Sequence, residues 1–257
     1  MFGWANLIKR NKICVVKPYY FISIRDFHSF VCMKVQDDKD YIYKLIAQGE
    51  HLTQDFKYEI SDISKIARTL SAFANTEGGR LLIGVKDNGK VTGVRSEEEV
   101  YMIEAAAQLY CVPLVALRIQ NFIVEGKTVL MVEVEPNKDQ KPVYAKDHAG
   151  KLWAYIRIHD ENILATPIHL KVWKQKDSPA GTLLKYTERE KFLLNLLGEE
   201  EFFSLNKYCR KAKISRRAAE NLLAQFIRFN IVEFVFLNHK FHYRLKKEIT
   251  QSEHILQ

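Results

Sequence analysis

Four basic side chains crowd around one serine near the C-terminus: Lys211, Lys213, Arg216 and Arg217 flank Ser215 in "RKAKISRRAAE". A serine whose hydroxyl accepts from the amides of a first helical turn marks where a helix starts. Cations gathered at such a start are open to a polyanion: arginine reads guanine edges or grips phosphates, whereas Lys211 and Lys213 suit phosphate contacts alone. A second group with chemical potential is the glycine pair Gly78-Gly79 in "LSAFANTEGGRLLIGVKDNGKVTGV" (70–94). A phosphate loop needs glycines that follow a strand and open a helix, so that helix N-terminal amides surround the anion. Here the order is reversed, since the pair follows a helical pattern and precedes "RLLIGV", with no Lys-Ser/Thr pair behind it. We therefore expect Gly78 to end a helix, and no nucleotide or other cofactor to bind there. His239 and His242, three apart, fall on opposite faces of a strand, which argues against joint metal ligation. Trp153 and Tyr155 alternate along a strand, where they either stack on bases or pack a sheet face.

The elements that must position these residues follow from hydrophobic period. Tyr41, Ile42, Leu45 and Ile46 recur at helical spacing within Asp37 to Gln48, behind an acidic first turn. "TQDFKYE" (53–59) reads as a strand. Ile63, Ile66, Ala67, Leu70, Phe73 and Ala74 form one face of a helix that Ser61 or Asp62 can cap. "RLLIGV" and "KVTGV" read as strands joined through a positive-φ pair at Asn88-Gly89. A helix over about 97–110 follows, then strand pairs turning at Glu125-Gly126 and at His148-Ala149-Gly150. Helices alternating with antiparallel hairpins define an α+β class. The polar segment "KQKDSPAGT" is the best linker, and beyond it three helices and two strands turning at Asn238-His239 spell a winged helix-turn-helix. The expected boundaries are an N-terminal extension over 1–32, an α+β domain over 33–173, a linker over 174–184 and a winged-helix domain over 185–257.

Composition narrows the function classes. The 257 residues, 47% of them apolar, can bury a core, and the formal charge of +8 is unevenly spread. Residues 1–32 hold 5 basic and 1 acidic side chains, 33–179 hold 20 and 21, and 180–257 hold 14 and 9. The basic C-terminal part points to a polyanionic partner, double-stranded DNA in our reading. Cys14, Cys32, Cys111 and Cys209 lie far apart, so neither a disulfide framework nor a zinc site is expected; we read them as reduced thiols in a cytoplasm. The apolar patch near the N-terminus is broken by Lys17-Pro18 and is shorter than the roughly 20 residues of a membrane span, so no membrane association is expected. Met33 opens the first clearly patterned stretch, so translation from Met33 stands beside translation from Met1.

The ordered combination Ala72-Phe73-Ala74-Asn75-Thr76, Gly78-Gly79 and Ile83-Gly84-Val85, preceded by "GEHLTQDFKYE", resembles the Schlafen-type AlbA domain. The similarity is strongest over 49–94 and runs more loosely to about 165. It implies a mixed sheet with flanking helices and, with a winged helix behind it, a DNA-binding transcriptional regulator; the AlbA-like domain would associate with itself or with a ligand, and we expect a homodimer because symmetric pairing presents two reading heads. Some Schlafen members are metal-dependent nucleases with three carboxylates, and on the alternative of an RNA-cleaving enzyme of that type Glu50, Asp55 and Asp87 would take the catalytic places with Mg²⁺ or Mn²⁺. The chain departs from that pattern by Asp at the second place and by Lys86 beside Asp87. Without a metal, Glu50 sits near a helix end, Asp55 pairs with Lys57 or Arg80 and Asp87 forms a turn. A third alternative is an adaptor whose winged helix binds protein.

Overall fold

The computed structural model describes residues 35–96, 98–175 and 186–246. The expected N-terminal extension, the question of Met1 against Met33 and most of the expected linker lie outside those residues.

Helix α1 (Val35–Ala47) leads into strand β1 (Gln54–Lys57), helix α2 (Ile63–Asn75) and strand β2 (Gly79–Ile83). Asp62, not Ser61, caps α2: its Oδ1 accepts from the Ser64 and Lys65 amides at 2.8 and 3.3 Å. The helix stops where the Phe73 carbonyl accepts from both Thr76 and Gly78 N–H groups, at 3.0 and 2.9 Å. Gly78 adopts φ 77°, and a Cβ there would stand 2.6 Å from the Val134 carbonyl oxygen, so only glycine turns the chain into β2. Its place at the end of α2 thus accords with the sequence, although the capping position proper is Thr76.

Helix α3 (Glu98–Ala105) passes into a π-helical turn at Ala106–Tyr110; β3 (Cys111–Val112), β4 (Leu117–Val124), β5 (Lys127–Val134), β6 (Tyr144–Lys146), β7 (Leu152–Ile158) and β8 (Glu161–Leu164) follow. One sheet has the order β1-β2-β5-β4 and another β3-β6-β7-β8. The first sheet is mixed: β4 and β5 pair as the expected hairpin turning at Glu125-Gly126, whereas β1 and β2 do not form one but run parallel with α2 as their crossover. "KVTGV" is not a strand either: only Val85 and Val91 bridge, because the chain folds back so tightly that the Gly93 amide donates to the Gly84 carbonyl at 3.0 Å. A Cβ on Gly84 would lie 2.7 Å from the Gly93 carbonyl carbon. Positive φ falls on Gly89 alone, while the Asn88 side chain accepts from the Lys90 amide. The two sides of the first sheet carry separate cores, Leu81, Ile83 and Val132 packing toward α2 while Leu82 and Met131 pack toward Ile42 and Leu45 of α1.

Helix α4 (Pro167–Gln175) was not legible in the sequence. It is followed by α5 (Glu188–Glu199), β9 (Phe203–Ser204), α6 (Leu205–Ala212), α7 (Arg216–Arg228), β10 (Val232–Leu237) and β11 (Lys240–Leu245). These last elements form a helical unit whose small sheet is ordered β10-β11-β9. Ile168 and Val172 of α4 enter the core of that unit beside Leu193, Leu223 and Phe226, so the unit starts ahead of the expected linker. The whole is a mixed α+β structure, and among the described residues no helix is long and apolar enough to cross a membrane.

Candidate functional site

The corner between α6 and α7 is built by two serine caps and one left-handed residue. Ser204 accepts from the Lys207 amide at 3.3 Å to start α6, and Ser215 accepts from the Ala218 amide at 3.3 Å to start α7. Between them Lys213 takes φ 52° and turns the chain within a few residues. Tyr208, Ala219, Leu222, Leu223 and Phe226 bury the inner faces of the pair. That leaves all four sequence-picked cations exposed on one corner.

The four are not electrostatically alike. Lys211 Nζ lies 2.6 Å from Glu200 Oε1, and Lys207 Nζ lies 2.5 Å from its Oε2. Hydrogen bonds from these two ammonium groups hold Glu200 below the usual carboxylate range. Arg216 Nε lies 3.1 Å from Glu220 Oε1, and the other Glu220 oxygen is 3.0 Å from Lys171 of α4. Lys213 and Arg217 make no ion pair among the described residues, and neither does the exposed Arg210 one turn earlier. Arg210 was missed; the signal was present, since it lies in the last turn of α6 three residues before Lys213.

The three carboxylates separate differently. Gln54 Nε2 donates to the Leu45 and Gly49 carbonyls at 2.7 Å each, which fixes the turn that carries Glu50. Glu50 Oε1 accepts from the Phe56 amide at 2.9 Å. Burial, with the neighbouring Asp55 carboxyl adding to it, raises Glu50 above the ordinary carboxylate range against the lowering by that amide. Asp55 is 3% exposed. Its Oδ1 lies 3.1 Å from Arg157 Nη2 and its Oδ2 2.7 Å from Lys57 Nζ. Arg80, the other partner considered, stands opposite Gln54 in the β1–β2 register and so projects to the other sheet face. Asp87 is exposed in the turn that the Gly89 amide closes on the Lys86 carbonyl at 2.7 Å.

The structure thus joins Glu50 to Asp55 and leaves Asp87 apart. Among the described residues no three His, Cys, Asp or Glu side chains gather as metal ligands. The donor set does not fit Mg²⁺ or Mn²⁺, because both oxygens of Asp55 already face cationic side chains.

The other groups weighed contact neighbours within the chain. Trp153 Nε1 donates to Asp147 Oδ2 at 2.9 Å, with the Lys151 ammonium 3.9 Å above its ring. Tyr155 packs on the α2-side core beneath Arg68. His242 meets Phe202 edge-on, and His239 approaches Glu161 at 3.7 Å.

Residues 50–166 match the family model described as Schlafen, AlbA_2. Among curated proteins none matches the chain. Of solved structures, the DIP2311 protein from Corynebacterium diphtheriae is similar at 17% identity and TM-score 0.44 over 74% of this chain, which spans only 36% of that protein. The N-terminal domain of a RecG-related protein from Nitrosomonas europaea is similar at 23% identity and TM-score 0.36, over 58% of this chain and 97% of that domain.

Proposed function

We propose that the protein is a cytoplasmic DNA-binding regulator of transcription whose helical unit is a winged helix-turn-helix and whose α6–α7 corner contacts the duplex. One observation carries this reading: the exposed corner formed by Lys213 and the first turn of α7 holds Arg210, Lys213 and Arg217 without ion-pair partners among the described residues. An unpaired cation gains the full benefit of a phosphate, whereas one already held by a carboxylate must give that partner up. The N-terminal residues of the second helix are also those that face the groove in this motif. A homodimer would present two such corners to a two-fold symmetric site. The match of residues 50–166 to Schlafen, AlbA_2 supports a nucleic-acid setting for the sheet unit.

The test is a titration of the full chain with duplex DNA over a series of salt concentrations. Replacing Lys213 and Arg217 by Ala should lower the log–log salt slope by about 0.9 for each phosphate that the protein no longer neutralises. Replacing Lys211 and Arg216 should do less, because Glu200 and Glu220 already hold them. Equal slopes for wild type and the Lys213/Arg217 variant, or no wild-type affinity at low salt, would end this reading and leave the adaptor alternative.

A further inference from the structure

In a winged helix the terminal hairpin is the element expected to reach a flanking groove or phosphate. Here β10–β11 is engaged elsewhere. Its side chains alternate between two faces. On the inner face Val232, Phe234 and Tyr243 close the helical core, and Phe236 and Phe241 continue toward the tip, 4.9 Å apart as rings. Phe241 packs against Ala154, Ile156 and Ala165, on and just beyond the β7–β8 hairpin of the sheet unit. His169 of α4 completes the joint, stacked on Phe234 at 3.8 Å and 7° and edge-on to Phe241 at 4.9 Å. The tip residues Asn238 and His239 face the β7–β8 turn across a cleft of about 410 Å³ lined by Ile158, His159, Asp160 and Glu161.

The outer face offers little to a polyanion. Glu233 neutralises Arg244 at 2.6 Å, Phe202 meets His242 edge-on, and Lys240 is the one outer-face cation without a partner among the described residues. We propose that the β10–β11 hairpin is an intramolecular clamp that ties the helical unit to the β6–β8 side of the sheet unit, and that nucleic-acid contact is confined to the α6–α7 corner. The second half rests on the function proposed above; the first half does not.

The experiment therefore has two arms. In the first, the full chain carrying Glu161→Cys and His239→Cys is treated with a short bismaleimide and digested, and the linked peptides are assigned by mass spectrometry. A link between positions 161 and 239 is the expected result; its absence from a folded variant overturns the clamp. If that pair disturbs folding, Asp160→Cys with Asn238→Cys spans the same cleft and is read in the same way. In the second arm the cross-linked protein is titrated with duplex DNA and should keep its affinity within about twofold, with Lys240→Ala leaving the salt slope unchanged and Arg217→Ala lowering it by about 0.9. A drop of about tenfold on cross-linking, or an equal slope change from Lys240→Ala, overturns the confinement to the corner. Wild-type protein without duplex affinity overturns the binding reading and that second half with it, while the cross-link still decides the clamp.

Discussion

Arg157 is 2% exposed and fills a role that nothing near it in sequence announces. Besides Asp55, its guanidinium donates to Asn162 Oδ1 at 3.0 Å, to the Gln54 carbonyl at 3.2 Å and to the His51 carbonyl at 3.4 Å, and it lies over the Phe73 ring at 5.3 Å. One side chain thereby joins β1, α2, β7 and β8 around a buried carboxylate. Removing it leaves the buried Asp55 carboxylate with Lys57 as its remaining cation, 2.7 Å away, so the effect lies at the lower end of the about 3–5 kcal/mol lost when one partner of a buried pair is removed. Arg157→Leu should therefore lower the stability measured by urea unfolding by about that much, whereas Asn162→Ala, which removes a neutral acceptor from Arg157 and a donor from the Thr69 hydroxyl, should cost about 1–2 kcal/mol. Equal losses from the two would show that Arg157 acts by packing and not by pairing with Asp55. The pairing of Asp55 with Lys57 was legible, because residues two apart share a strand face. The buried partner, Arg157, was not, since it arrives from 102 positions away through the fold and leaves no local pattern.

Among the elements, α4 shows why local reading stops short. "PIHLKVWKQ" has Pro167 at a helix start, but Ile168, Leu170, Val172 and Trp173 fit a strand nearly as well as a helix. What decides the matter is contact with α7 and β10, which the chain supplies some 50 residues later. By contrast, α2, α7 and the β4–β5 and β10–β11 hairpins were legible, because caps at Asp62 and Ser215 and turn pairs at Glu125-Gly126 and Asn238-His239 are written into a few adjacent residues. The joint around α4 carries its own pH signature. His169 contacts the Thr166 hydroxyl and the rings of Trp173, Phe234 and Phe241, and burial alone pushes its imidazole from 6.5 down to about 3. The folded chain thus keeps His169 neutral where the unfolded chain binds a proton. Stability is lost as pH falls from about 6.5 toward about 3, at about 1.4 kcal/mol per pH unit. His169→Phe should remove that share of the slope, seen as a smaller drop in urea-derived stability between about pH 7 and about pH 5. An unchanged slope would mean that the ring is hydrated in solution.

At the scale of the whole molecule, the expected division into a sheet domain, a linker and a winged-helix domain meets an element that belongs to both sides. Helix α4 follows β8 after two residues, Ala165 and Thr166, yet it contributes Ile168 and Val172 to the helical core and reaches α7 through Lys171, which lies 3.0 Å from Glu220 and 2.8 Å from Asn221. The hairpin adds a second attachment through Phe241. With one attachment at α7 and another at the β7–β8 hairpin, the covalent connection between α4 and α5 becomes unnecessary for holding the units together. A protease site inserted between Asp177 and Ser178 and cut in the native protein should then yield two fragments that co-elute on gel filtration. Phe241→Ala and Ile168→Ala, each removing buried apolar surface, should weaken that association together more than singly, because they act on separate attachments. Fragments that part on cutting without any substitution would show that α4 is a tether and not a shared core element, and the two units would then move independently.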